Sequence, residues 1–190
     1  MTGKTEPQES STNNSPLTAK TTTLVSAAGE YYVLLRLCLL GYIAALAPKG
    51  VPNTDIVVTD IGGTRLCAVQ VKARRNIGAD KGWHMHAKHE TIVSDLLFYC
   101  FVDFGDCDSK DGNVPAPSTF VVPSAVVAEA LAKVHRIWLN TPGRGGRVHK
   151  DSKVRRFVPD YSVHLHEKCP PEYRSGWLDR YREAWKLLPK

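Results

Sequence analysis

The chain has 190 residues, of which 43% are hydrophobic and 23% charged, and its formal net charge is +6. These proportions exclude a fibrous or wholly disordered chain, and the length suits one domain at roughly 100 to 200 residues each. The longest apolar run, Tyr31 to Ala47, is broken by Arg36 and Gly41, so no bilayer span is expected.

Residues 1–22, rich in Ser, Thr, Asn, Gln and Pro, read as a disordered tail ahead of a single domain over 23–190. A helix is predicted from Thr23 or Ser26. Leu24, Ala27, Ala28, Tyr31, Leu34, Leu35, Cys38 and Leu39 recur at helical spacing, and Gly41 supplies the stop. Glu30 lies among these apolar positions, where a carboxylate is either solvated or turned inward. Ile43 to Ala47 reads as a first strand, and the two-proline loop from Pro48 to Asn53 delivers the chain to Asp55.

From Asp55 to Lys72 the pattern is a β-hairpin. Ile56 to Val58 is one apolar run, Ile61-Gly62-Gly63-Thr64 the turn, and Leu66 to Val71 the second run. Asp55 stands at the mouth of the first strand, and Gln70 and Lys72, two residues apart, share one face of the second. A carboxylate, an amide oxygen and an ammonium then meet at one edge of the hairpin, which is a candidate active site.

Further on, Trp83-His84-Met85-His86-Ala87-Lys88-His89-Glu90 contains three histidines but no closing partner for a tetrahedral metal set. It reads as a surface segment near a polyanion, with Trp83 and Lys88 available for contacts. Leu96 to Val102 and Thr119 to Val122 are predicted strands, joined by an acidic, Gly/Pro-rich loop. A helix follows over Ala125 to about His135 with Ser124 as N-cap. Thr141 to Arg147 is a basic glycine-rich loop, either a phosphate cradle or simply flexible. Ser175 to Leu188 reads as an amphipathic helix whose Trp177, Leu178, Tyr181 and Trp185 are core or a dimer contact. The whole is an α/β arrangement, a mixed β-sheet flanked by helices in the order α-β-β-β-(α)-β-β-α-α.

Charge and cysteines narrow the function. Nine Lys or Arg between Lys133 and Lys168 face three acids, an excess of six that equals the net charge of the chain. Such clustering suits a polyanion partner, although a solvated basic face accounts for the same run. The five cysteines read as small buried hydrophobes in a reducing cytoplasm, and no export signal is expected. Walker A, dinucleotide-binding GxGxxG and GxSxG patterns are absent from the sequence, which argues against NTPase, Rossmann and α/β-hydrolase functions.

Glu30 after a glycine on the first helix, the proline loop into Asp55 and the run Val69-Gln70-Val71-Lys72 together resemble the PD-(D/E)XK, or restriction-endonuclease-like, nuclease superfamily. The likeness is nearest to its Gln-x-Lys branch, as in a homing endonuclease encoded by a bacterial group I intron. It covers roughly residues 24 to 75 in detail, and the later strands and helix fit that core in outline. The remainder also resembles a bacterial group to which no activity attaches.

The resemblance implies a metal-dependent DNA endonuclease with Glu30, Asp55, Gln70 and Lys72 as catalytic residues. Mg²⁺, with Mn²⁺ as a substitute, would be held by Asp55, the Gln70 side-chain oxygen, the Val71 carbonyl and Glu30. Lys72 would orient or deprotonate the attacking water, or stabilise developing charge. Arg74, Arg75, Lys88, Arg144, Arg147, Lys150, Arg155 and Arg156 are the expected DNA contacts. No membrane partner is expected, and a homodimer or higher homo-oligomer is left open. A neutral Gln70 holds a cation less firmly than a carboxylate, so the alternatives are an inactive nuclease-like DNA-binding protein or a protein-interaction module.

Overall fold

A computed structural model describes residues 19–75, 82–105 and 116–189. Helix α1 (Ala19–Leu39) leads into strands β1 (Ile43–Leu46), β2 (Ile56–Thr59) and β3 (Leu66–Arg74). Strand β4 (Trp83–His86) runs directly into a 3-10 turn over Ala87–Glu90, and β5 (Leu97–Asp103) and β6 (Ser118–Pro123) follow. Helix α2 (Ser124–Leu139), strand β7 (Val154–Phe157) and the single turn α3 (Ser162–Leu165) come next.

The principal sheet has five strands in the order β1-β2-β3-β5-β6. β3 and β5 are parallel and the other neighbouring pairs antiparallel, so the sheet is mixed and flanked by helices, as expected. β5 is buried on both faces, the usual condition of a central parallel strand. Alternation along it divides the core in two. Leu97, Tyr99 and Phe101 pack with Val127, Ala130 and Leu131 of α2, whereas Phe98, Cys100 and Val102 pack on the side of Val33 and Leu37 of α1. The same alternation sends Cys67, Val69 and Val71 of β3 toward α1 and leaves Gln70 and Lys72 on the opposite face.

Asp60 fixes the β2–β3 turn. Its carboxylate accepts from the Thr64 amide and hydroxyl, both at 2.7 Å, which pulls its pKa below the usual carboxylate value. The hairpin register follows, with Ile56 opposite Val69 and Thr59 opposite Leu66.

Several expectations need correction. α1 begins at Ala19, before the expected start at Thr23 or Ser26; residues 1–18 of the expected tail lie outside the described residues. Its buried face is Gly29, Val33 and Leu37, while Leu24, Tyr31, Leu35, Cys38 and Leu39 are exposed. The helix is apolar around most of its girth, so periodicity alone does not choose a face. Gly29 chooses it, because a Cβ there would lie 2.5 Å from the Ala73 Cβ and only a bare Cα lets the helix settle on β3. Ser124 does not cap α2. Pro123 occupies the cap position, and the Ser124 hydroxyl instead donates to the Ser94 carbonyl at 2.8 Å and accepts from the Ser94 amide at 2.9 Å.

The C-terminal segment is not a helix but a chain of 3-10 turns, including Asp179–Tyr181 and Trp185–Leu187. Trp177 and Leu178 belong to the core beneath α2, and Trp185 and Leu188 to the core beneath α1. The chain passes the β6 edge between them, where Arg182 forms a bridge with Phe120 and the Glu183 amide donates to the Thr119 carbonyl at 2.9 Å. One straight helix cannot reach both sides of a sheet, so tertiary burial overrides the local pattern.

Of the cysteines, Cys67, Cys100 and Cys169 are buried and free, and Cys107 lies outside the described residues with the rest of the acidic loop over 106–115. No helix among the described residues is long and apolar enough to cross a membrane.

Candidate active site

The loop Pro48–Asn53 and the first residues of β2 bring Asp55 to the end of the hairpin ladder. The Asp55 amide donates to the Val69 carbonyl at 2.9 Å, the last backbone link on that side. Past this point β3 continues without a β2 partner, and the Asp55 carboxylate takes the place of the missing strand. Its Oδ2 accepts from the Val71 amide at 2.7 Å and from the Gln70 Nε2 at 2.8 Å. Because Val69 turns its carbonyl toward β2, Val71, two residues on, directs its own carbonyl to the same edge beside Asp55. Gln70, 8% exposed, is thus a buried amide with a defined partner on the carboxylate.

Glu30 reaches this edge from α1. Burial raises its pKa above the ordinary carboxylate value, the negative charge of Asp55 adds to the rise and the Lys72 ammonium opposes it. Lys72 projects from the Gln70 face of β3. Burial lowers its pKa, Asp55 opposes this, Lys88 reinforces it, and Glu30 also opposes it. Two carboxylates and an ammonium therefore interact across the β3 edge, and the four residues singled out in the sequence share one electrostatic environment.

Beside them opens a cleft of about 630 Å³, lined by Asn53, Gln70, Lys72, His84, His86, Lys88 and His89, among others. Its far wall is a two-stranded antiparallel ribbon of β4 and β7, which pairs His84 with Arg156 and His86 with Val154. Asn53 adopts a left-handed conformation at φ 61°, and its buried Oδ1 has no hydrogen-bond partner. His89 is 3% exposed, and its Nδ1 lies 2.7 Å from the Tyr99 hydroxyl. Sequence reasoning weighed His89 only as one of three clustered histidines and did not single out Asn53 or Tyr99, because nothing in their spacing links them to Gln70 or Lys72.

The basic residues divide into two groups. Lys88, Arg147, Lys150 and Arg156 are exposed. Arg155 is not a surface contact: at 6% exposure its guanidinium pairs with Glu90 and donates to the Ser152 carbonyl at 2.5 Å. Arg74 is a tie within the fold as well, bonded to Asp103 at 2.5 Å and stacked 3.8 Å from the Trp83 ring. Arg75 is half-buried at the end of β3, and Arg144 stands in the short 3-10 turn Arg144–Gly146. Trp83, expected to be available for contacts, is 2% exposed and donates to the Val102 carbonyl at 3.1 Å, so it belongs to the core.

The donor set suits a hard divalent cation. Asp55 keeps Oδ1 uncommitted while Oδ2 is anchored, Glu30 is a second carboxylate within electrostatic reach, and the Gln70 side-chain oxygen and Val71 carbonyl are neutral oxygens at the same edge. Among the described residues, no group of three or more His, Cys, Asp or Glu is placed to hold a metal.

No protein-family model and no curated protein matches the chain. Among solved structures, the bacterial homing endonuclease I-Ssp6803I is similar over 87% of this chain and 89% of its own, at a TM-score of 0.44 and 16% sequence identity. The activity proposed for this chain rests on its own residues.

Proposed function

We infer that this protein is a divalent-cation-dependent DNA endonuclease that hydrolyses phosphodiester bonds at the Asp55 edge of β3. The supporting observation is the junction where Asp55 Oδ2 accepts from the Gln70 side-chain amide and the Val71 amide, with Glu30 and Lys72 near enough for the Asp55 charge to act on both. Bound there, Mg²⁺ or Mn²⁺ supplies charge neutralisation for the phosphoryl transition state and acidifies water. The chain's own contribution is positional. Asp55 is pinned by two donors, so its second oxygen is oriented in advance, and Gln70 is fixed in rotamer by the same bond. Lys72, with its ammonium destabilised by burial, is suited either to take a proton from the attacking water or to steady negative charge on phosphate. Lys88, Arg147, Lys150 and Arg156 are the exposed cations proposed to meet DNA phosphates. A cytoplasmic location is part of the same reading.

The test is nicking of plasmid DNA. Cleavage with Mg²⁺ is expected to stop with EDTA, to return when Mg²⁺ is restored, and to fall at least about 100-fold in Lys72→Ala. Undiminished cleavage in EDTA would overturn the reading.

One observation favours a second reading. Gln70 already donates to Asp55 Oδ2, so the carboxylate is partly satisfied by the protein itself, as in a DNA-binding descendant that no longer cuts. That protein would bind DNA without added metal and leave it intact at every Mg²⁺ concentration.

A further inference from the structure

Of the three histidines that line the cleft, His84 and His86 are exposed and His89, at 3% exposure, is set into the cleft wall. Tyr99 beneath it is fully buried, and its hydroxyl has His89 Nδ1 as its hydrogen-bond partner at 2.7 Å. A phenol in the interior must place its proton on an acceptor, and burial holds that proton on by raising the Tyr99 pKa to about 12. If Nδ1 carried the imidazole proton, the phenolic proton would be buried without an acceptor. The phenol therefore donates, Nδ1 accepts, and the neutral ring carries its proton on Nε2. Nε2 makes no hydrogen bond within the described residues, and the ring lines the cleft with Lys72, Gln70, His86 and Lys88.

The surroundings keep the ring in that state. Burial, then Lys72, Lys88 and His86, lower the His89 pKa to about 4, so it is neutral over the range in which DNA is stable. Tyr99 stands opposite Gln70 in the parallel β3–β5 register, which ties the donor to the strand that carries the proposed site. The edge-on packing of the two rings, 5.6 Å between centroids at 82°, fixes the imidazole plane.

We propose that His89 is a further substrate-binding residue, a fixed neutral Nε2–H donor to a non-bridging oxygen of the DNA phosphate in the cleft, and that Tyr99 is its positioning residue. The ligand assigned here rests on the reading of the cleft as a DNA site, but the tautomer does not. An uncharged donor adds a directed hydrogen bond where Lys72 and Lys88 already supply charge, and with its proton held by the tautomer lock it cannot act as a base in the same step.

The test uses the full chain with ¹⁵N-labelled histidine, and a long-range ¹H–¹⁵N spectrum in which His89 is assigned by its loss in His89→Gln. In EDTA, so that nothing is cut, the free protein is expected to show His89 as a single tautomer with protonated Nε2. Adding a short double-stranded DNA should shift the Nε2–H resonance and leave Nδ1 unprotonated. Tyr99→Phe should release the lock and give mixed tautomers, and with Mg²⁺ His89→Ala should cut about 100-fold more slowly while His89→Gln, which retains an N–H donor, recovers part of the loss. A free protein with Nδ1 protonated overturns the proposal, as does an Nε2–H indifferent to bound DNA. If no variant, wild type included, cuts DNA with Mg²⁺, the endonuclease reading fails, while the Nε2 response to DNA still decides this one.

Discussion

At the level of single residues, the site is a conflict between stability and chemistry. Glu30 is held where burial and the Asp55 charge both disfavour its ionised form, so its folded-state pKa lies above the reference value of 4.5. The folded chain then binds that proton more tightly than the unfolded chain does, and stability contributed at this position falls as pH rises from 4.5 through the raised value. Glu30→Gln is accordingly expected to be more stable than wild type at neutral pH in EDTA. That advantage should vanish below pH 4.5, where both states of Glu30 are protonated, and urea denaturation across that range checks it. The same variant should lose DNA cleavage. The hairpin pattern brought Asp55, Gln70 and Lys72 to one edge, and Glu30 joined them only through the family resemblance of the first helix. The pairing of His89 with Tyr99 left no such trace. They meet through a 3-10 turn and a buried strand, and a hydrogen bond between such elements has no period in the sequence.

Among elements, the contact that matters most is α1 on β3, since it carries Glu30 to Asp55. Gly29 makes it close. Helix propensity favours alanine over glycine by about 1 kcal/mol, but a Cβ 2.5 Å from that of Ala73 costs about 1–3 kcal/mol in overpacking. Gly29→Ala is expected to lose up to about 2 kcal/mol in urea denaturation, and to cut DNA more slowly as Glu30 is pushed outward. Adding Ala73→Gly should restore part of both. A Gly29→Ala protein more stable than wild type would mean that α1 does not sit on Ala73. The strands of the five-stranded sheet were legible because each is a bounded apolar run with turn residues on either side. The β4–β7 ribbon was not, because Trp83 pairs with Phe157 far along the chain and neither strand is apolar enough to declare itself alone. The C-terminal segment misled in the opposite sense. Its aromatics are spaced as on a helix, yet they serve two cores on opposite faces of the sheet.

Across the whole molecule, the basic run from Lys133 to Lys168 was visible as a count, but a count does not distinguish cations in the fold from cations on the surface. Arg155 is bound to Glu90, and Lys133 to Glu172 at 2.5 Å, whereas Arg147, Lys150 and Arg156, the members proposed to face phosphate, are among the exposed ones. Replacing Arg147 or Lys150 by alanine is expected to weaken DNA binding at all sequences alike and to reduce the slope of log affinity against log salt by about 1 for each. An unchanged slope would remove that residue from the interface. The central claim is that the Asp55 junction, and not the basic surface, performs hydrolysis. Binding and cleavage of one DNA by wild type and Asp55→Ala, measured side by side with Mg²⁺, test it most directly. The account predicts that Asp55→Ala binds as wild type does and cuts at least about 100-fold more slowly; cleavage at the wild-type rate in Asp55→Ala would contradict it.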